Sequence, residues 1–173
     1  MNERVLVTGM GTVNPIGLSV DETWRNALNG VSGVGPITLF GASDLNVQIA
    51  GEVKGFQPED YMSAREARRR DRFEWFSTAA AKEAIGQAGL EVDEASAGRV
   101  GVFISSAIGG IGTTQEGVIT LKEKGPRRIS PLAIPMLMIN GAAGMVSIDY
   151  GYQGPSLCVV SACASGIDSI GLG

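Results

Sequence analysis

The residue types best suited to chemistry are concentrated in residues 154–166, GPSLCVVSACASG. Residues 156–160 read as a strand rich in β-branched side chains, residues 161–165 as a sharp turn, and residues 166 onward as the body of a helix. Cys163 stands at that junction. A helix N-terminus carries a partial positive charge and unpaired N–H groups, which favour a thiolate. The same N–H groups, that of Cys163 included, can donate to the oxyanion formed when sulfur attacks a carbonyl. Ala162, Ala164, Ser165 and Gly166 are small enough for a tight turn and for an acyl thioester to come close. This is the layout of a nucleophile elbow, and Cys163 is read as its nucleophile. The competing reading, a buried cysteine acting as a small hydrophobe, is the one adopted for Cys158 on the apolar strand.

What the chain lacks narrows the chemistry further. It contains no His, so no imidazole base, triad or His-ligated metal can be built from these residues alone. Cys158 and Cys163 make no CxxC, which excludes a zinc ribbon or thioredoxin motif, and no structural disulfide is expected between them. The formal charge of −4 is too mild to make nucleic acid the default partner. It is uneven, however. Residues 65–72 hold five Arg against Glu66 and Asp71, a local +3. Such a cluster suits an acidic partner that docks at one place, and equally a solvated helix face. Residues 129–148 carry no charge, but Pro131, Pro135, Asn140, Gly141 and Gly144 interrupt them. A buried core or a subunit contact is therefore expected there rather than a membrane span. The charged start of the chain leads into a short β-rich run and is not a signal peptide. A soluble, cytoplasmic protein binding neither nucleic acid nor membrane is expected.

The elements that must position the elbow are readable from pattern. At 18.0 kDa, 44% hydrophobic and 18% charged, the chain has material for one domain or a piece of one. Its 25 glycines are about double the usual share and must serve turns and close packing. Residues 4–8 (RVLVT) predict a buried strand. Gly9-Met10-Gly11 opens like a dinucleotide fingerprint, but Asn14 stands where the third Gly belongs and no helix opens after it. Ser19 and Glu22 form a capping-box pattern ahead of a helix that Gly30 stops. Residues 31–47 read as loop, 48–53 as a second strand, and 58–70 as short helical pieces carrying the Arg cluster. From Asp71 a strong amphipathic helix runs to Gly89, with Phe73, Phe76, Ala80, Ala84 and Ala88 on one face. Residues 99–105 predict a strand buried on both faces, residues 108–112 a flexible loop, and 114–122 a helix ending before Gly125-Pro126. Residues 167–173 continue the last helix for about two turns, too short to be stable unless the fold continues. Interleaved helices and buried strands make the class α/β with a largely parallel sheet.

These residues resemble the β-ketoacyl-acyl-carrier-protein synthases, closest to the elongating type II enzymes of bacterial fatty-acid synthesis. VLVTGMGTVNPIG, SSAIGGIG, GPRRISPLAIP and GPSLCVVSACASG all fall in that family's order and spacing, and the likeness covers the whole chain. The resemblance implies a thiolase-like fold, of which residues 1–173 are the first, N-terminal domain, cut shortly after the elbow. The sheet would be mainly parallel and mixed, with helices on its faces, and incomplete. It implies that Cys163 accepts the growing acyl group from acyl carrier protein, with its own N–H as one arm of the oxyanion hole. It places Ile108 and Ile134 against the acyl chain, Ile108 gating its length, although ordinary core packing explains both residues as well. It also makes Arg65, Arg68, Arg69, Arg127 and Arg128 the docking surface for the acidic carrier protein, and makes the protein a homodimer joined along residues 156–160. No metal or organic cofactor is implied.

The resemblance further implies a limit. The family's catalytic histidines, which act after malonyl decarboxylation, lie in its second half, and this chain has none. The 173 residues alone are therefore expected not to complete a decarboxylative Claisen condensation. Two other readings stay open: a fragment of a polyketide ketosynthase, against which SACASG and the start at Met1 speak, and a non-catalytic partner that only dimerises, against which Cys163 speaks and for which the missing His speaks.

Overall fold

The computed structural model describes residues 4–173. They form two compact units, one made of the chain up to Gln57 with Ala79–Leu90, the other of Pro58–Thr78 with Glu91–Gly173. In the first unit Ser19 begins α1 (Val20–Leu28), its hydroxyl accepting the Glu22 N–H at 3.2 Å. The Glu22 carboxylate takes the Leu18 N–H at 2.7 Å, one residue upstream of the predicted box. Gly30 adopts a φ of +66° just past the helix, the left-handed conformation that makes glycine an efficient stop. Replacing Ser19 with Ala leaves the Glu22 amide without its acceptor. A loss of about 1 kcal/mol is expected from urea unfolding, and an unchanged midpoint would show that the cap contributes nothing.

Strand β1 (Val34–Pro36) pairs antiparallel with β2 (Ile49–Gly51), Val34 opposite Gly51. β2 lies within the predicted strand 48–53. β1 lies within residues read as loop, because Gly35 and Pro36 hide a short strand behind turn-type residues. Residues 4–8, predicted as a buried strand, pair with no described strand, and Val5 and Val7 are 96% and 82% exposed. A β-rich run becomes a strand only where a partner's backbone can take its hydrogen bonds.

The glycines after that run have a packing role. A Cβ on Gly9 would stand 2.1 Å from the Ala84 carbonyl oxygen, and one on Gly11 1.9 Å from that of Ala80. The chain thus crosses α3 (Arg72–Ala88) along its small-residue face. The Met10 N–H is accepted by Gln87 Oε1 at 2.6 Å, and the Thr12 and Val20 N–H groups by the two Glu83 oxygens at 3.0 and 2.8 Å.

In the second unit a short helix α2 (Ala64–Ala67) opens on a complete capping box of Ser63 and Glu66. β3 (Val102–Phe103) and β4 (Ser156–Leu157) pair in parallel, Val102 opposite Ser156. The ladder is much shorter than the runs 99–105 and 156–160 that predicted it, and of its members only Val102 is fully buried. Residues 129–148 divide between α5 (Ala133–Leu137) and α6 (Gly141–Tyr150), which come after α4 (Ile111–Lys124). Gly141, Ala142, Ala143 and Val146 are buried, and α6 packs on β3 and β4. Among the described residues no helix is long and apolar enough to cross a membrane. Arg70 is buried and ties the end of α2 to α6. Its guanidinium donates to both Asp149 oxygens at 2.6 and 2.7 Å and to Thr78 Oγ1 at 2.8 Å. The bonds to the Asp149 carboxylate hold its pKa above the ordinary arginine value, against the opposing effect of burial. The α/β class is the expected one, built among the described residues on two small sheets, one antiparallel and one parallel.

Candidate active site

The chain leaves β4 extended. The Ile104 N–H is accepted by the Leu157 carbonyl at 3.3 Å and the Val159 N–H by Ser105 Oγ at 2.9 Å. Ser105 also hydrogen-bonds the buried Ser169. At Ala162 the backbone turns left-handed, with φ +52°, the one non-glycine residue to do so among those described. That conformation costs an L-residue about 1–2 kcal/mol. A 3-10 turn, Ala162–Ala164, then hands the chain to α7 (Ser165–Leu172).

Three polar side chains hold the turn. Buried Ser165 donates its hydroxyl proton to the Ala162 carbonyl at 2.8 Å and accepts the Ser161 N–H at 2.9 Å. The Ser161 hydroxyl donates to the Asp168 carboxylate. The Ala164 N–H is taken by the Ser161 carbonyl at 3.1 Å and the Ser165 N–H by that of Ala162. Cys163 sits between them, exposed and free, whereas Cys158 is half-buried. The sulfur is therefore at the mouth of a helix, not inside a strand. The Ser161–Ser165–Asp168 clamp was not anticipated from sequence. Its signal was available, as serines at i and i+4 around a helix start are the residues that compete for backbone groups there.

Ile108 lies 64% exposed in the loop before α4, and Ile134 63% exposed on α5. Neither side chain lies in the ordinary core. The loop is shaped by Gly109 at φ +75°, whose N–H is accepted by Ser106 Oγ at 2.8 Å. Arg65, Arg68 and Arg69 are exposed at and after α2, and Arg127 and Arg128 on the 3-10 turn Pro126–Arg128. Arg68 and Arg128, far apart in sequence, line one cavity of about 330 Å3 together with one acid, Glu116, and with Thr113, Thr120 and Ser130. The structure thus joins the two basic segments. It also removes two arginines from the patch. Arg70 is committed to Asp149, and Arg72 lies over the Phe76 ring, 5.1 Å from its centroid.

Pattern does not single out one buried acid. Glu74 is on the buried face of α3, 0% exposed, with Oε2 accepting the Asp71 N–H at 2.8 Å and Oε1 unpartnered. Burial pushes its pKa up to about 7, against the opposing pull of the Asp71 N–H and the Arg70 guanidinium. Among the described residues no group of three or more His, Cys, Asp or Glu side chains is placed to hold a metal ion.

A parallel strand pair, a left-handed residue and an exposed cysteine at a helix mouth define an α/β domain with a tight strand–turn–helix passage at Cys163. The chain belongs to the β-ketoacyl synthase family: the model of the family's N-terminal domain matches residues 2–172. It is 48% identical over 170 residues to 3-oxoacyl-[acyl-carrier-protein] synthase 2 of Staphylococcus aureus (strain COL), covering 98% of this chain and 41% of that protein. To the protein of that name from Synechocystis sp. it is 41% identical over 169 residues, with the same coverages.

Among solved structures, a type II polyketide acyl-carrier protein in complex with its ketosynthase bound to the hexaketide matches with a TM-score of 0.84 at 24% identity, over 99% of this chain and 47% of that one. A β-ketoacyl synthase from Burkholderia phymatum matches with a TM-score of 0.81 at 29% identity, over 98% of this chain and 42% of that one. The fold is the thiolase-like α/β fold of ketosynthases, represented by its N-terminal half. The chain spans about two fifths of the length of the curated relatives it matches.

Proposed function

We propose that residues 1–173 are the N-terminal, acyl-accepting domain of an elongating β-ketoacyl-acyl-carrier-protein synthase of fatty-acid synthesis. The observation that carries this is an exposed Cys163 at the mouth of α7, one residue past left-handed Ala162, in a chain 48% identical to proteins named 3-oxoacyl-[acyl-carrier-protein] synthase 2. Cys163 Sγ attacks the carbonyl carbon of an acyl thioester on the carrier protein. The tetrahedral oxyanion takes the Cys163 N–H, the carbon–sulfur bond to the carrier breaks, and the released thiol leaves with the proton. Malonyl-carrier protein then loses carbon dioxide, and its enolate carbon attacks the acyl-Cys163 carbonyl. The cysteine is expelled and a 3-ketoacyl thioester is formed. That second stage needs histidines which this chain does not contain; in this reading they belong to the rest of a longer protein. Ile108 and Ile134 line the acyl chain's path. The same reading makes the protein a cytoplasmic homodimer joined along residues 156–160, where Ser156 and Leu157 are exposed.

The test is acylation of the chain by an acyl-carrier thioester at neutral pH, read by peptide mass. Cys163 is expected to be modified well ahead of Cys158; equal, sluggish modification of both would remove the nucleophile and with it the proposal. Docking has its own measurement. Arg65, Arg68, Arg69, Arg127 and Arg128 are the proposed seat of the acidic carrier. Changing Arg68 and Arg128 together to Glu is expected to weaken carrier binding about tenfold at low salt and to flatten its salt dependence. Affinities that match the wild type at two ionic strengths would take the patch out of the docking surface.

A further inference from the structure

Helix α4 begins without a cap of its own. Its N-cap residue is Gly110, which has no side chain to offer the first amides. Nor is there room for one, since a Cβ there would stand 2.2 Å from the Met136 carbonyl oxygen and 3.0 Å from Asp71 Oδ2. The acceptor comes from another helix. Asp71, the residue before α3, is buried, and its Oδ2 accepts both the Thr113 N–H at 2.9 Å and the Thr113 hydroxyl at 2.6 Å. A carboxylate at that place is favoured by the helix's positive end as well as by the two bonds. Asp71 is itself held by Glu74, whose Oε2 takes its N–H. The loop just ahead of α4 carries Ile108, and the run Ile108-Gly109-Gly110-Ile111-Gly112 has little intrinsic preference for one conformation. Its other ties are neutral: the Ile108 and Gly109 N–H groups to Ser106 Oγ at 3.4 and 2.8 Å, the Gly110 N–H to the Leu137 carbonyl at 3.3 Å, and the Thr114 hydroxyl to the Gly110 carbonyl at 3.0 Å.

We propose that Asp71 is a positioning residue for acyl chain length: by capping α4 from a neighbouring helix it fixes residues 108–112, and so where the Ile108 side chain stands against the acyl chain. This rests on the reading of Ile108 as a pocket residue. Discrimination between chains differing by a few methylenes needs a wall that does not move, and the Asp71–Thr113 bonds are the charge-assisted ties at the end of that glycine-rich wall.

The experiment uses the whole 173-residue chain as wild type, Asp71→Asn, Thr113→Val and Thr113→Ser. Amide hydrogen exchange over residues 109–114 is expected to quicken about tenfold in Asp71→Asn and Thr113→Val and to stay as in wild type in Thr113→Ser, which keeps the hydroxyl. In parallel, Cys163 is acylated with short, medium and long acyl-pantetheine thioesters, which bypass the carrier-docking arginines, and alkylated with iodoacetamide. The spread between the best and worst chain length is expected to narrow about threefold in the two loosened variants, with the iodoacetamide rate unchanged. Unchanged exchange overturns the capping claim. Faster exchange with an unaltered length profile, or a fall in every rate together, overturns the specificity claim. If wild-type Cys163 accepts no acyl chain, the proposed function fails and the specificity claim with it, while the exchange measurement still reports separately on the cap.

Discussion

A chain in which Cys163 is replaced by Ser is expected to take up acyl groups at least about a thousandfold more slowly than the wild type, and a Cys163→Ala chain not at all. Thiols reach a reactive anionic fraction near neutral pH, whereas a serine hydroxyl needs a general base to become a nucleophile. Imidazole is the usual base, and the chain has no His. The hydroxyl of Cys163→Ser would stand in the same exposed place at the start of α7, beside the same Ser161–Ser165–Asp168 clamp. Geometry is thereby held while nucleophilicity is removed. Cys158→Ala supplies the control, because that half-buried thiol, one residue past β4, has no role in the proposed reaction. The measurement is the mass of the intact chain after exposure to an acyl thioester. Acylation that survives in Cys163→Ala would move the chemistry to another residue.

Glu74→Gln is expected to change how stability depends on pH. Burial raises the Glu74 pKa to about 7 from an ordinary 4.5, so the folded protein holds a proton that the unfolded chain releases. The resulting stability is fully present below about pH 4.5 and is lost as pH rises through 7. The span corresponds to roughly 3 kcal/mol. Gln has the same shape, keeps an oxygen for the Asp71 N–H and does not titrate. At pH 8 the variant is therefore expected to melt on the order of 6–10 °C above the wild type, with the gap closing as pH falls toward 5. Glu52, Glu66 and Asp93 titrate in the opposite sense, their pKa values lowered chiefly by hydrogen bonds from Thr38, Ser63 and Ser96 respectively. They weaken both proteins alike in acid and cancel in the difference. Parallel melting curves for the two proteins between pH 5 and 8 would mean that Glu74 is not buried as described.

Legibility tracked the range of the interactions. Ser19, Gly30, Gly89 and Gly125 mark helix ends in the sequence and mark them in the structure, because caps and left-handed stops act over three or four residues. The strand–turn–helix passage through Cys163 was readable for the same reason. Strands were less so. Residues 4–8 have strand composition and no described partner, and β1 has turn composition and a partner in β2. Helix α6 has no legible pattern in the sequence, because GAAGMVSIDY is small and apolar at its buried start and shows no polar stripe to count.

Cys163 and the five arginines are legible as residue types. The buried acids are not: Glu74 reads as one more charge on an amphipathic helix, and Asp71 as one member of a charge cluster. Order along the chain was enough to determine the α/β class and the strand–turn–helix passage in which Cys163 lies, since each depends on neighbours in sequence. Only the tertiary structure decided that Arg70 turns inward to Asp149, that Arg68 and Arg128 face one cavity, and that Asp71 caps a helix starting forty residues away. Those outcomes turn on which buried polar groups find partners across the fold, and no local pattern encodes the other half of such a pair.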